Sequence, residues 1–228
     1  MNRLVVVSNR VADLTKGAQA GGLAVGLADS LRERGGVWMG WDGQTLKYEE
    51  QPEPRIRKAG EVTQATIPLT DQDYAEYYLG FANSVLWPLF HYRLDLVEYK
   101  TAFLEGYRRV NAKFANALLS VLRPDDVIWI HDYHLIPLAA ELRQRGCKQR
   151  IGFFLHIPFP PPEILAAVPR HRWLVECLME FDVIGFQTLT DRGNLQHYVE
   201  DHLPCEIQED RRIQLGEREV IAGCYPIG

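Results

Sequence analysis

Basic charge is in short supply in this sequence: 25 lysines and arginines stand against 30 aspartates and glutamates, a net charge of −5. That balance gives no general electrostatic footprint for nucleic acid, so a phosphorylated small ligand would need a local basic pocket. Cysteine is also scarce. The four present, Cys147, Cys177, Cys205 and Cys224, lie far apart with no C-x-x-C pair, the pattern of buried or free thiols in a reducing cytoplasm. No apolar run approaches the ~20 residues that a membrane helix needs. The first one, Leu4 to Val7, is cut off by Ser8-Asn9-Arg10 before a signal-peptide core can form. Repeats and low-complexity tracts are absent, as are G-x-G-x-x-G and G-x-S-x-G, which removes the dinucleotide fingerprint and the serine-hydrolase elbow. These exclusions leave a soluble, cytoplasmic globular protein that binds neither nucleic acid nor membrane.

What the chain does have is apolar material in short, regular pieces. Its 228 residues are 46% hydrophobic and 24% charged, ordinary for a globular protein, and at this length roughly 70% of the unfolded surface can be buried. Apolar runs at 4–7, 37–41, 127–130, 150–156, 182–186 and 220–225 read as strands. Helical periodicity fills the stretches before residue 34 and over 101–122, 137–145, 170–180 and 190–202, and Thr70 is the N-cap expected for a helix over 71–79. Strands alternating with helices predict a Rossmann-like, doubly wound, mostly parallel α/β sheet. Between Asp42 and Pro68 charged residues interrupt β-prone pieces such as 62–67, and antiparallel excursions are expected there.

The chain is organised around VIWIHDYHL, residues 127–135. A buried strand turns polar at His131, Asp132, Tyr133 and His134, where a parallel sheet places its ligands, beyond the carboxyl ends of its strands. Two other strands end the same way, in Arg10 and His156, so three polar strand ends are expected on one rim. After Arg10 come a polar loop, Gly21-Gly22 and a helix, an order that lets backbone N–H groups approach an anion. Strand alternation would send His131 and Tyr133 to one face and Asp132 and His134 to the other, so these residues do not converge as a zinc set does. Trp41, expected to be exposed at its strand end, is either core filler or a stacking surface for a sugar. The aromatic segment Tyr77, Tyr78, Phe81, Trp87, Phe90, His91 and Tyr92 reads either as a core cluster or as a sugar wall, and Arg93 beside it as a surface ion-pair partner rather than a second phosphate ligand. A carboxylate and imidazoles facing a phosphosugar, with no thiol nucleophile, suit group transfer to a hydroxyl, with Asp132 binding acceptor hydroxyls or taking a proton.

The runs RLVVVSNR (3–10), GGLAVGL (21–27), NSVLWPLFHYR (83–93), IWIHDYHLIPL (128–138), RIGFFLHIPFP (150–160) and the closing YPIG resemble the trehalose-6-phosphate synthase family. They span most of the chain in order, and the HDYHL and FFLHIPFP runs are highly specific. The resemblance implies a retaining glycosyltransferase of the GT-B fold, moving glucose from a nucleotide-glucose such as UDP-glucose to glucose 6-phosphate. Carried over, Arg10 grips the acceptor phosphate, and Gly21 and Gly22 close over the donor. Tyr78, Trp87 and Asp132 line the acceptor sugar, with Trp41 close to it, and His156 lies beside the transferred glucose. Asp132 and His156 are the catalytic candidates. The resemblance implies no metal and no cofactor, and a reaction on one sugar face without a protein nucleophile. It also implies homo-oligomers among full-length members and a second Rossmann-like domain that holds the nucleotide. Residues 1–228 are then the N-terminal acceptor-binding domain, expected to lack turnover without that complementary C-terminal donor domain. Two alternatives stay open: a related transferase acting on glycerol 3-phosphate or a cyclitol phosphate, and a non-catalytic sugar-phosphate-binding module.

Overall fold

A computed structural model describes residues 2–12, 26, 27, 31, 35–47, 53–208 and 212–226. Among them ten strands form one sheet, in the order β3-β4-β2-β1-β5-β6-β7-β10-β9-β8. The strands are β1 (Leu4–Arg10), β2 (Gly36–Leu46), β3 (Arg55–Ala59), β4 (Val62–Thr70), β5 (Val127–His131), β6 (Arg150–Phe154), β7 (Val183–Phe186), β8 (Glu206–Ile207), β9 (Arg212–Leu215) and β10 (Arg218–Cys224). From β4 to β10 every neighbouring pair is parallel. The antiparallel excursion expected before Pro68 is the β3–β4 pair, and β8 and β9 close the other edge in the same way.

Strand parity divides the apolar residues between two faces. Val5 and Val7 of β1, Val37 and Met39 of β2, Ile128 and Ile130 of β5, and Ile151 and Phe153 of β6 enter the large core. Against that face pack helices α1 (Thr101–Leu119), α2 (Leu138–Gln144), α3 (His171–Leu178) and α4 (Leu189–His202). The intervening residues Val6, Trp38 and Val62 form a smaller cluster on the opposite face with Leu27 and Leu31. Among the described residues no helix is long and apolar enough to cross a membrane. All four cysteines are free, Cys147 and Cys177 buried and the others half-buried.

The Thr70 N-cap forms a capping box with Asp73. Asp73 N–H donates to Thr70 Oγ1 at 3.0 Å and Thr70 N–H donates to Asp73 Oδ2 at 3.3 Å. The helix it starts does not stop near residue 79. One turn, Asp71–Asp73, passes into a π-helix, Tyr74–Leu86, and then into Trp87–Phe90. π-helix is rare, appears mostly as single-turn bulges, and is frequent at functional sites. Asp73 also anchors α1, accepting from Arg109 Nε at 2.8 Å and Lys113 Nζ at 2.6 Å. Burial pushes its pKa up, but the two cations and the Thr70 N–H outweigh that and leave it below the usual value.

Candidate active site

From β1 the chain builds outward in one direction through β2 and β4, and in the other through β5, β6 and β7. The strand order therefore reverses between β1 and β5, the place where open α/β sheets bind ligands. Arg10 ends β1 and His131 ends β5, while Asp132 and His156 lie one and two residues past the ends of β5 and β6. Because these strands are parallel neighbours, the three polar strand ends share one rim, as expected.

Asp132 is the strained residue of this rim. Its φ of 74° and ψ of 164° fall in a region that glycine alone occupies freely, at a cost on the order of 1–3 kcal/mol. Asp132 N–H donates to Phe154 O at 2.8 Å, which fixes the backbone, and its Oδ1 accepts from His156 N–H at 3.3 Å. Burial raises the carboxyl pKa to about 6, against the opposing pull of the Tyr133 and His156 N–H groups. The twist at Asp132 also ends the strand alternation expected over residues 131–134. Tyr133–Leu135 is a 3-10 turn, so His134 leaves the strand pattern while His131, the last residue of β5, keeps it.

His131 keeps the parity of Trp129, and His156 keeps that of Gly152 and Phe154, so both imidazoles project from the face opposite the main helices. They meet there, His131 Nδ1 lying 3.0 Å from His156 Nε2. Burial lowers the His131 pKa to about 3, helped by His156, and lowers that of His156 to about 4. The backbone carbonyl of His156 accepts from Gln187 Nε2 at 2.6 Å. Beside the pair lies a cavity of about 670 Å³, walled by Trp129, Phe154, Gly185, Gln187 and Tyr225. Of the described residues singled out from sequence by role, it reaches His156 alone.

The second half of the rim is a ladder of rings. The Arg10 guanidinium lies 5.7 Å over the Trp41 ring and makes no hydrogen bond or ion pair among the described residues. Trp41 meets Tyr78 at 5.9 Å, and Tyr78 stacks on His134 at 5.7 Å with the rings 14° apart. The exposure expected of Trp41 is corrected. Only 5% of it is accessible, because Arg10, Tyr74 and Tyr78 cover its ring and its Nε1 donates to Gln44 O at 2.7 Å. Trp87 is exposed and stacks on His91 at 4.2 Å. The aromatic segment is neither wholly core nor wholly wall: Tyr77, Phe81 and Phe90 lie in the core, and Trp87 and Tyr92 lie outside it. Arg93 pairs on the surface with Asp95 at 2.8 Å. Gly21 and Gly22 lie outside the described residues.

Four residues without an assigned role from sequence belong to this rim. His131 and His134 were visible in the HDYHL run, but flat strand alternation hid their partners. Gln187 was within reach of the same strand-end rule, since it directly follows β7. Gly43, with φ of 84°, lies so close under Arg10 that a Cβ there would be 2.6 Å from the guanidinium, and nothing in the sequence signals that approach. Among the described residues no group of three or more His, Cys, Asp or Glu side chains converges as a metal site would require.

Comparison with known proteins bears on the same rim. The family model described as Glycosyltransferase family 20 matches residues 3–228. A trehalose-6-phosphate synthase of Citrobacter koseri is 55% identical over 192 residues, covering 84% of this chain and 40% of that protein. The solved structure of an α,α-trehalose-phosphate synthase (UDP-forming) from Burkholderia xenovorans in complex with glucose-6-phosphate superposes with a TM-score of 0.93 at 50% identity, over 100% of this chain and 50% of that one. An E. coli structure bound with UDP-2-fluoro glucose gives a TM-score of 0.91 at 47% identity, over 100% and 49% of the two chains. The chain thus spans about half the length of these relatives, whose shared fold is its own mostly parallel α/β sheet.

Proposed function

Because the chain belongs to glycosyltransferase family 20, we propose that its rim is the acceptor side of a trehalose-6-phosphate synthase, which moves glucose from UDP-glucose to glucose 6-phosphate with retention. The observation that carries this reading is Arg10, an exposed guanidinium with no anionic partner among the described residues, set over an indole at the topological switch point. Such a group suits a phosphate dianion. Tyr78, Trp87 and Trp41 supply the aromatic wall for the sugar, and Asp132, mostly ionised at neutral pH, accepts hydrogen bonds from its hydroxyls. His156 serves the transferred glucose. In the reaction the anomeric hydroxyl oxygen of the acceptor bonds to C1 of the donor glucose as the bond from C1 to the nucleoside diphosphate breaks on the same face, and the hydroxyl proton passes to the departing phosphate oxygen or to Asp132, the alternatives that Asp132→Asn separates. No protein nucleophile, metal or cofactor takes part.

The relatives are about twice as long as this chain, and we assign the nucleotide diphosphate to the part of those proteins that it does not span. Residues 1–228 then act as the acceptor domain, in the cytoplasm, and need that donor part for turnover, since the reacting atoms must approach to about 3–3.5 Å. Calorimetric titration of glucose 6-phosphate into the chain tests the reading. Arg10→Ala should weaken binding at least about tenfold, the loss of a charged hydrogen bond. Equal affinity in the variant would sink the assignment, and tighter binding of glycerol 3-phosphate or a cyclitol phosphate would change the acceptor. Formation of trehalose 6-phosphate by the chain alone would overturn the division between acceptor and donor parts.

A further inference from the structure

His131 has no role in the reading above, yet it is the most deeply buried imidazole of the HDYHL run, 1% accessible and packed on Trp129 at 4.3 Å between ring centres. One of its nitrogens faces His156 Nε2 at 3.0 Å, and the other, Nε2, is buried without a partner among the described residues. Burial keeps both rings neutral near pH 7. A single hydrogen therefore occupies the contact, and it belongs to one ring or the other.

If His156 donates from Nε2, His131 must carry its own hydrogen on Nε2, where a buried N–H would find no acceptor. If His131 donates from Nδ1, the atom left unpaired is a bare ring nitrogen. Orphaned buried N–H groups are the rarer and costlier of the two. The backbone of His156 is already clamped, its N–H on Asp132 Oδ1 and its carbonyl on Gln187 Nε2, so the His131 contact fixes the one freedom remaining, the ring and its tautomer.

We infer that His131 is a positioning residue that donates from Nδ1 to His156 Nε2 and locks His156 in the Nδ1–H tautomer. The outer nitrogen of His156 becomes a hydrogen-bond donor, whereas a free imidazole in water mostly carries its hydrogen on Nε2. That the donor serves an oxygen of the transferred sugar rests on the proposed function; the tautomer does not.

Long-range proton–nitrogen NMR correlation on the 228-residue chain, labelled at histidine nitrogens and free of sugar at pH 7.5, reads the tautomers directly. Both His131 and His156 should appear as Nδ1–H with Nε2 unprotonated. His156 found with its hydrogen on Nε2 overturns the inference. His131→Asn, whose amide N–H takes the place of Nδ1–H, should leave His156 as Nδ1–H. His131→Phe, which keeps a ring against Trp129 but no donor, should shift it to mainly Nε2–H. Persistence of the Nδ1–H form in a folded Phe variant also overturns the inference. If that variant does not fold, the parent and Asn spectra decide. A chain that binds no sugar phosphate but gives the expected spectra would refute the proposed function and leave this one standing.

Discussion

Where β1 ends beside the middle of β2, the rim holds a full positive charge in water; where β5 and β6 end, it holds a strained, half-buried carboxylate and neutral imidazoles, one buried and one half-buried. Arg10 lies over Trp41 at the end of β1, beyond a register irregularity in the pairing of β1 with β2. Asp132 is bent into a glycine-like conformation, and the buried His131 shares one hydrogen bond with the half-buried His156. The first arrangement suits capture of an anion from solution. The second suits fixed hydrogen bonds to hydroxyl groups, and it persists because the parallel register of β5 and β6 holds both strand ends in place. Desolvation and strain collect at the end assigned to chemistry, as expected of functional sites.

The largest test of this contrast is Asp132→Asn. In the proposed transfer reaction, measured with the donor half supplied, turnover should fall by about 10²–10⁴ if Asp132 handles a proton. Stability should move the opposite way. The folded pKa, about 6, lies above the reference of 3.8, so the ionised carboxylate destabilises the fold fully above pH 6, and that penalty disappears as pH falls toward 3.8. Removing the charge should stabilise the chain at pH 7 by about 1–2 kcal/mol in urea unfolding. A destabilised variant would mean that this end of the rim is not under strain.

His134 comes next. Burial lowers its pKa to about 3, so between pH 6.5 and 3 only the unfolded chain takes up its proton. Stability should be lost as pH falls below 6.5, by about 2 kcal/mol from this residue at pH 5. His134→Phe, which keeps a ring beneath Tyr78, should flatten the profile by that amount between unfolding curves at pH 7.5 and 5. An unchanged slope would show that His134 is not buried in its neutral form.

The smallest change is on the Arg10 side. Gly43→Ala puts a methyl group where the guanidinium lies, and a flexible side-chain end yields before backbone does. The left-handed φ adds strain of about 1 kcal/mol. Glucose 6-phosphate affinity should drop about tenfold while the fold survives. Unaltered affinity would show that Arg10 needs no cradle, and would sharpen the contrast by making the anchor still less dependent on its surroundings.

Much of this was legible in the sequence, because strand ends are. Apolar runs ending in Arg10, His131-Asp132 and His156 gave the parallel sheet and its rim, and Thr70 gave a helix start confirmed by its capping box. What escaped depends on local backbone geometry. The positive φ of Asp132 cancels beyond it the alternation that two-residue periodicity assumes, so the partners of His134 could not be read ahead. The continuation of the helix past residue 79 into π geometry has no periodic signature of its own. The burial of Trp41 depends on Tyr74 and Tyr78 arriving from another element, information that a strand-end tryptophan does not carry. The roles of the site residues follow from the resemblance and from Arg10, and await the measurements above.

The two margins of the sheet have a colloidal consequence. β3 is the outermost strand on one side among the described residues, and it presents Arg55, Arg57 and Lys58 around an exposed Ile56. The other margin ends in β8, only two residues long. Positive charge and brevity are both ways of refusing a foreign strand. Neither margin therefore offers a template for cross-β growth, and a crowded solution of this chain should gain no aggregates by sheet extension. Any ordered assembly it makes would be built through helices or through the rim.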